Sequence, residues 1–156
     1  MKERSFLVKK LLIGAFLLLA CSGTVFAAED VTSVFFSTTG SSMEQCISYD
    51  FSREKMTLVW EAPGVTRSAR VSPAQYARLC SLCDELGLKN WDGFSGTDSG
   101  VLDGEGFNMS VEYAGGPRVH ARGYMRFPQG YRMAKDALFS FFEGVLRDAP
   151  RTKKKY

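Results

Sequence analysis

Ile47-Ser48-Tyr49-Asp50-Phe51-Ser52-Arg53-Glu54-Lys55-Met56-Thr57-Leu58-Val59-Trp60 is the stretch that decides the fold class. Ile47, Tyr49 and Phe51 alternate with polar residues before its charged centre, and Met56, Leu58 and Trp60 share one face after it. A period of two is the pattern of a half-buried strand. A turn over Ser52-Arg53-Glu54-Lys55 pairs Phe51 with Met56, Tyr49 with Leu58 and Ile47 with Trp60. All three pairs are apolar, so register and buried face agree. The stretch predicts a hairpin, with one strand from about Cys46 to Phe51 and the next over Lys55 to Glu61.

The same alternation extends in both directions. Upstream, about Val31 to Thr38 reads as a first strand, ended by Gly40-Ser41-Ser42. Downstream, Ala62-Pro63-Gly64-Val65 reads as a turn, since Pro presets φ and Gly accepts a positive φ. A fourth strand, about Thr66 to Val71, completes a meander. Ser72-Pro73-Ala74-Gln75 then carries a capping box with Pro at the first helical position, and Gly87 is placed to end that helix. Tyr76, Leu79, Cys80, Cys83 and Leu86 form its apolar stripe. A Gly- and Asp-rich loop covers about Asn90 to Gly106. A second hairpin follows, Phe107 to Tyr113 and about Arg118 to Met125. A loop of Gly115-Gly116-Pro117 sets Tyr113 against Val119, Val111 against Ala121 and Glu112 against His120. A last helix, about Tyr131 to Arg147, buries Ala134, Leu138, Phe141, Phe142 and Val145, with Pro150 beyond its end. The expected class is α+β: a mainly antiparallel sheet of about six strands in β4-α-β2-α order, with two helices packed on one face and the other face solvated.

The N-terminal end reads as an export signal. Lys2, Arg4, Lys9 and Lys10 precede an apolar run from Leu11 to Ala20, too short for a membrane-spanning helix of about 20 residues. Two cleavage sites compete. Val25-Phe26-Ala27 suits a general signal peptidase, giving a signal over 1–27. Leu18-Leu19-Ala20-Cys21 resembles a lipobox, giving a signal over 1–20 and a lipid anchor on Cys21. Residues 28–150 then form a single domain, and 151–156 a basic disordered tail. The segment 1–27 holds four of the 20 Lys and Arg and one of the 17 Asp and Glu, leaving sixteen of each in the rest. That balance, with four of the cations in the final six residues, excludes the footprint of a nucleic-acid-binding domain.

Several constellations invite chemistry. Cys80-Ser81-Leu82-Cys83 has redox spacing, but the pair lies two turns into a helix and on its apolar stripe, where Cys behaves as a small hydrophobe. A disulfide from Cys46 to either helix Cys would close a loop of about 35 residues and stabilise by roughly 3–4 kcal/mol; alternation opposes it, because Cys46 points away from Ile47 and Tyr49. A zinc site over Cys46, Cys80, Cys83 and His120 matches no usual spacing. Asp92, Asp98, Asp103 and Glu105 offer oxygen ligands on a flexible loop, yet fail the EF-hand pattern. Trp91 and Phe94 plug the core edge or, if exposed, make a binding hot spot. No nucleophile with a base is visible. The outer face of the second hairpin carries Arg118, His120, Arg122 and Tyr124, with Arg126 just beyond, a surface for an anionic or polymeric ligand with Tyr124 as a flat contact.

From Leu86 onward the chain resembles a loose group of uncharacterised small bacterial secreted proteins and lipoproteins. Trp91-Asp92-Gly93-Phe94, Leu102-Asp103-Gly104-Glu105-Gly106-Phe107, the strand to Tyr113, Gly123, Phe127-Pro128 and the final helix carry the resemblance. It implies an envelope location and an α+β fold, and it assigns no activity. The expectation is an exported, non-enzymatic domain, needing no cofactor, that binds an envelope or extracellular protein or polymer and no nucleic acid. The alternative is a thiol–disulfide or metal-binding protein using Cys80 and Cys83.

Overall fold

A computed structural model describes residues 28–40, 46–101 and 103–153. The export segment, with Cys21, lies outside the described residues. The elements run β1 (Val31–Thr39), β2 (Ile47–Ser52), β3 (Thr57–Ala62), β4 (Val65–Arg70), α1 (Pro73–Glu85), a 3-10 turn (Leu88–Trp91), β5 (Ser95–Thr97), β6 (Gly106–Tyr113), β7 (Arg118–Tyr124), α2 (Tyr131–Leu146) and β8 (Arg151–Lys153).

The strands form one eight-stranded sheet in the order β5-β7-β6-β1-β2-β3-β4-β8. Every pairing is antiparallel except β5 with β7. The α+β class and the antiparallel character stand as expected, but six strands is a correction. The extra two are three-residue edge strands. β5 comes from the Gly/Asp loop, and β8 turns the start of the basic tail into structure against Val65–Arg67. Backbone hydrogen bonding makes both, so neither needs a side-chain pattern that alternation could reveal.

Both hairpins keep their expected faces and slip by two residues. Phe51 faces Leu58 and Tyr49 faces Trp60, because the turn takes in Arg53 to Met56, with Met56 at φ 46°. In the second hairpin Glu112 faces Arg118, not His120, and Val111 faces Val119. A shift of two leaves every side chain on its own face, so alternation is blind to it.

Helix α1 starts as its sequence dictates. Ser72 Oγ accepts from Gln75 N at 3.3 Å, and Ser72 N donates to Gln75 Oε1 at 2.8 Å. Gly87, at φ 61°, turns the chain out of it. Both helices cover the same sheet face. Tyr76 stacks on Phe51 at 6.0 Å, and its hydroxyl donates to the Val31 carbonyl at 3.1 Å. Tyr49 stacks on Phe142 at 4.9 Å, and Phe107 lies 4.7 Å from Tyr131. Phe36, Phe51, Leu58, Met109, Leu138 and Phe142 are fully buried between the layers. Each such side chain contributes about 1.5–3 kcal/mol by leaving water.

One polar cluster pins α2 to the sheet. Arg67 reaches inward from β4, its guanidinium donating to Glu143 Oε2 at 3.0 Å and to the Leu146 carbonyl at the end of the helix. Tyr49 donates to Glu143 Oε1 at 2.9 Å. A cation at a helix C-terminus satisfies a carbonyl that the helix itself leaves open.

Candidate functional site

The uncovered sheet face is polar along a continuous line. Thr66 pairs with Glu61, Glu61 with Ser48, Ser48 with Ser37, Ser37 with Asn108, Asn108 with Arg122 and Arg122 with Ser95. These residues lie in register on seven neighbouring strands, and at the usual strand spacing the row is about 29 Å long. No residue of the row is apolar. The adjoining row carries Phe35 and Val59, both half-buried, on either side of Asp50.

Two hollows lie along this row. One, of about 320 Å³, is lined by Ser37, Ser48, Glu61, Cys46 and Pro63. The other, of about 430 Å³, is lined by Ser37, Asn108, Arg122, Tyr124 and Thr97. Ser37 and Thr39 belong to both, so the hollows meet at the end of β1. Short side chains at Ser37 and Ser48 form the floor; Arg122 and Tyr124 stand at one end and Glu61 at the other. Gly123 keeps the β7 end tight, since a Cβ there would lie 2.2 Å from the Arg126 carbonyl oxygen.

A third hollow, of about 520 Å³, opens at the rim beside Thr38 and Thr39 and is bounded by Glu105, Met125, Phe127 and Arg132. Glu105 Oε1 accepts from Tyr131 Oη and from Lys135 Nζ, both at 2.7 Å. Burial works against the Glu105 carboxylate, but the bonds from Lys135 and Tyr131 and the charges of Lys135 and Arg132 outweigh it, holding the carboxyl below its usual range. Burial and the Glu105 contact raise the Tyr131 hydroxyl, which stays protonated as a donor.

No family model, curated protein or solved structure matches this chain.

The expected hairpin stripe is divided. Arg118, His120 and Arg122 alternate outward on β7 and are exposed. Arg118 pairs with Glu112 at 3.3 Å, two rows from the hollows. The His120 backbone N–H donates to Asp92 Oδ1 at 3.0 Å. Arg122, whose Nε donates to Ser95 Oγ at 3.3 Å, shares the groove with Tyr124. Arg126 is exposed beyond Met125, with its stem against Gly96. The structure thus brings Arg122 and Tyr124 together with Ser37 and Asn108, which sequence reading passed over. Ser37, Ser48, Glu61 and Asn108 are outward in the sequence alternation; what was missing is that β6 lies beside β1.

The three cysteines among the described residues are free thiols. Cys80 and Cys83 are buried in α1, Cys80 Sγ accepting from Val31 N at 3.5 Å. Burial pushes the Cys83 thiol up to about 12, with Cys80 and Asp84 adding to it. Cys46 is half-buried in the groove. The disulfide between Cys46 and the helix is not formed. Asp92 and Asp98 serve backbone N–H groups of the loop and hairpin. Among the described residues no three His, Cys, Asp or Glu side chains gather as metal ligands. Trp91 is the core plug, buried, with Nε1 donating to the Gln129 carbonyl at 3.2 Å; Phe94 is half-buried beside Phe107.

Proposed function

We propose that the chain is an exported binding domain, not an enzyme, and that its outer sheet face takes an extended envelope or extracellular polymer. The observation that carries this is the polar row from Thr66 to Ser95, with two hollows that meet over Ser37. A groove across strands, floored by hydroxyls and flanked by an arginine and a tyrosine, suits a chain rich in hydrogen-bonding groups better than a compact ligand. Arg122 adds preference for anionic groups at its end. Thiol–disulfide exchange at Cys80 and Cys83 has little support, since both sulfurs are buried and the Cys83 thiol is held protonated.

Co-sedimentation with insoluble envelope polysaccharide and peptidoglycan tests the proposal. The parent protein should sediment with one of them. Ser37→Tyr, which fills the floor, and the pair Arg122→Glu with Arg126→Glu should each weaken that binding about tenfold, the equivalent of about 1.4 kcal/mol. Unchanged binding in both variants would remove this face from consideration.

A further inference from the structure

The rim hollow adjoins the groove at Thr38 and Thr39. Its volume of about 520 Å³ falls in the range of small-molecule sites. Most of its lining is polar: Thr38, Thr39, Asp103, Glu105, Arg132 and Lys135. Glu105 is locked through Oε1 alone by Tyr131 and Lys135, and Oε2 has no hydrogen-bond or ion-pair partner among the described residues. Arg132, exposed on the wall, has no such partner either. Thr38, only 8 % exposed, lines the hollow, and its hydroxyl has no hydrogen-bond partner among the described residues. Asp103 and Lys135 also line the hollow, and Phe127 with the Met125 side chain gives it one apolar flank. Met125 stands at φ 55°, a costly conformation for a non-glycine residue, and is 36 % exposed. Strain of this kind persists where the surroundings impose it and clusters at ligand sites.

These groups define the ligand. An oriented carboxylate oxygen accepts, a guanidinium donates and a hydroxyl does either. Asp103 and Glu105 balance Arg132 and Lys135 across the hollow, so neither an anion nor a cation is favoured outright. Phe127 and Met125 offer a flat apolar flank. A neutral ring bearing several hydroxyls on its edge and C–H groups on its faces satisfies all of these. We propose that the rim hollow binds a single sugar ring, with Glu105 Oε2 accepting from ring hydroxyls and Arg132 donating to them. Thr39 lines this hollow as well as the two on the outer face. Resting on the polymer reading above, this makes the polymer a glycan and the rim hollow the seat of its terminal residue.

The test uses glucose, galactose, mannose and N-acetylglucosamine as probes, each titrated by saturation-transfer NMR and calorimetry. At least one should bind with a Kd on the order of 1 mM. Glu105→Gln should weaken it about tenfold, since a hydrogen bond to a charged acceptor becomes one to a neutral acceptor. Arg132→Ala, at an exposed position that leaves the fold alone, should weaken it severalfold, whereas Ser37→Tyr should leave it unchanged. Absence of binding by all four sugars, or parent-like binding by both Glu105→Gln and Arg132→Ala, overturns the assignment. Polymer co-sedimentation that persists when no single sugar binds would sink this inference and spare the groove; sugar binding without polymer binding would do the reverse.

Discussion

Cys83 and Cys46 are the same residue type in opposite surroundings. Cys83 is fully buried on α1, while Cys46 borders the groove. With burial pushing the Cys83 thiol well above its usual range, it stays protonated at pH 8. Iodoacetamide should therefore label Cys46 in the folded protein within minutes and reach Cys80 and Cys83 only in denaturant; intact mass counts the adducts. The same burial has a stability consequence. A folded value above the unfolded one, near 8.5, means that the unfolded chain gives up its proton first as pH rises. The stabilising difference is complete below about pH 8.5 and is lost progressively toward pH 12, with a slope near 1.4 kcal/mol per pH unit for this one group. Burial raises Tyr49, Tyr113 and Tyr131 too, so they add to the loss at the alkaline end. Urea midpoints measured from pH 8 to 11 should fall monotonically, and a Cys83→Ala variant should fall less steeply.

At the level of elements, the junction of α2 with the sheet rests on Arg67. Its guanidinium is largely buried, while its partner Glu143 is about half exposed, so water softens the ion pair but not the bond to the Leu146 carbonyl. Arg67→Met should cost about 2–3 kcal/mol, the range for hydrogen bonds to a charged group. Glu143→Gln should cost about 1 kcal/mol or less. Chemical denaturation of both single variants and the double variant would show whether the pair is coupled. Nothing in the sequence announced this latch: Arg67 sits on a short strand among Thr66, Ser68 and Arg70, and its inward side is visible only once β4 is paired with β3. By contrast, α1 was legible to the residue, because Ser72, Pro73 and Gln75 carry their signal within one turn. The hairpins were legible in face and not in register, since parity survives a slip of two. The groove was legible least. Its floor unites Ser37, Ser48 and Asn108, two from a local hairpin and one from a strand far along the chain, and no local pattern reports that meeting.

For the molecule as a whole, the edges of the sheet matter as much as its faces. β8 covers only Val65, Thr66 and Arg67 of β4, leaving the rest of that edge unpaired by strand. Removal of residues 151–156 should cost about 1–2 kcal/mol, a few backbone hydrogen bonds at roughly 0.5–1.5 kcal/mol each. It should also expose a longer edge and increase self-association, since an open strand recruits another. A lowered urea midpoint with a concentration-dependent sedimentation coefficient would be the signature; an unchanged midpoint would show that β8 contributes nothing. The position of β1 has a different consequence. It lies at the middle of the sheet, with β2 on one flank and β6 on the other. The first partner follows within a few residues, whereas the second pairing joins Thr38 to Phe107 and Val31 to Tyr113. As the chain is made, the meander can close early, but its central strand keeps one side bare until the second hairpin arrives. Folding is then governed by a long-range docking step that must pay loop-closure entropy before contacts reward it. During that interval Val31, Val34, Phe35 and Phe36 sit on a strand with one bare edge, an adhesive surface, so a slow second half favours aggregation.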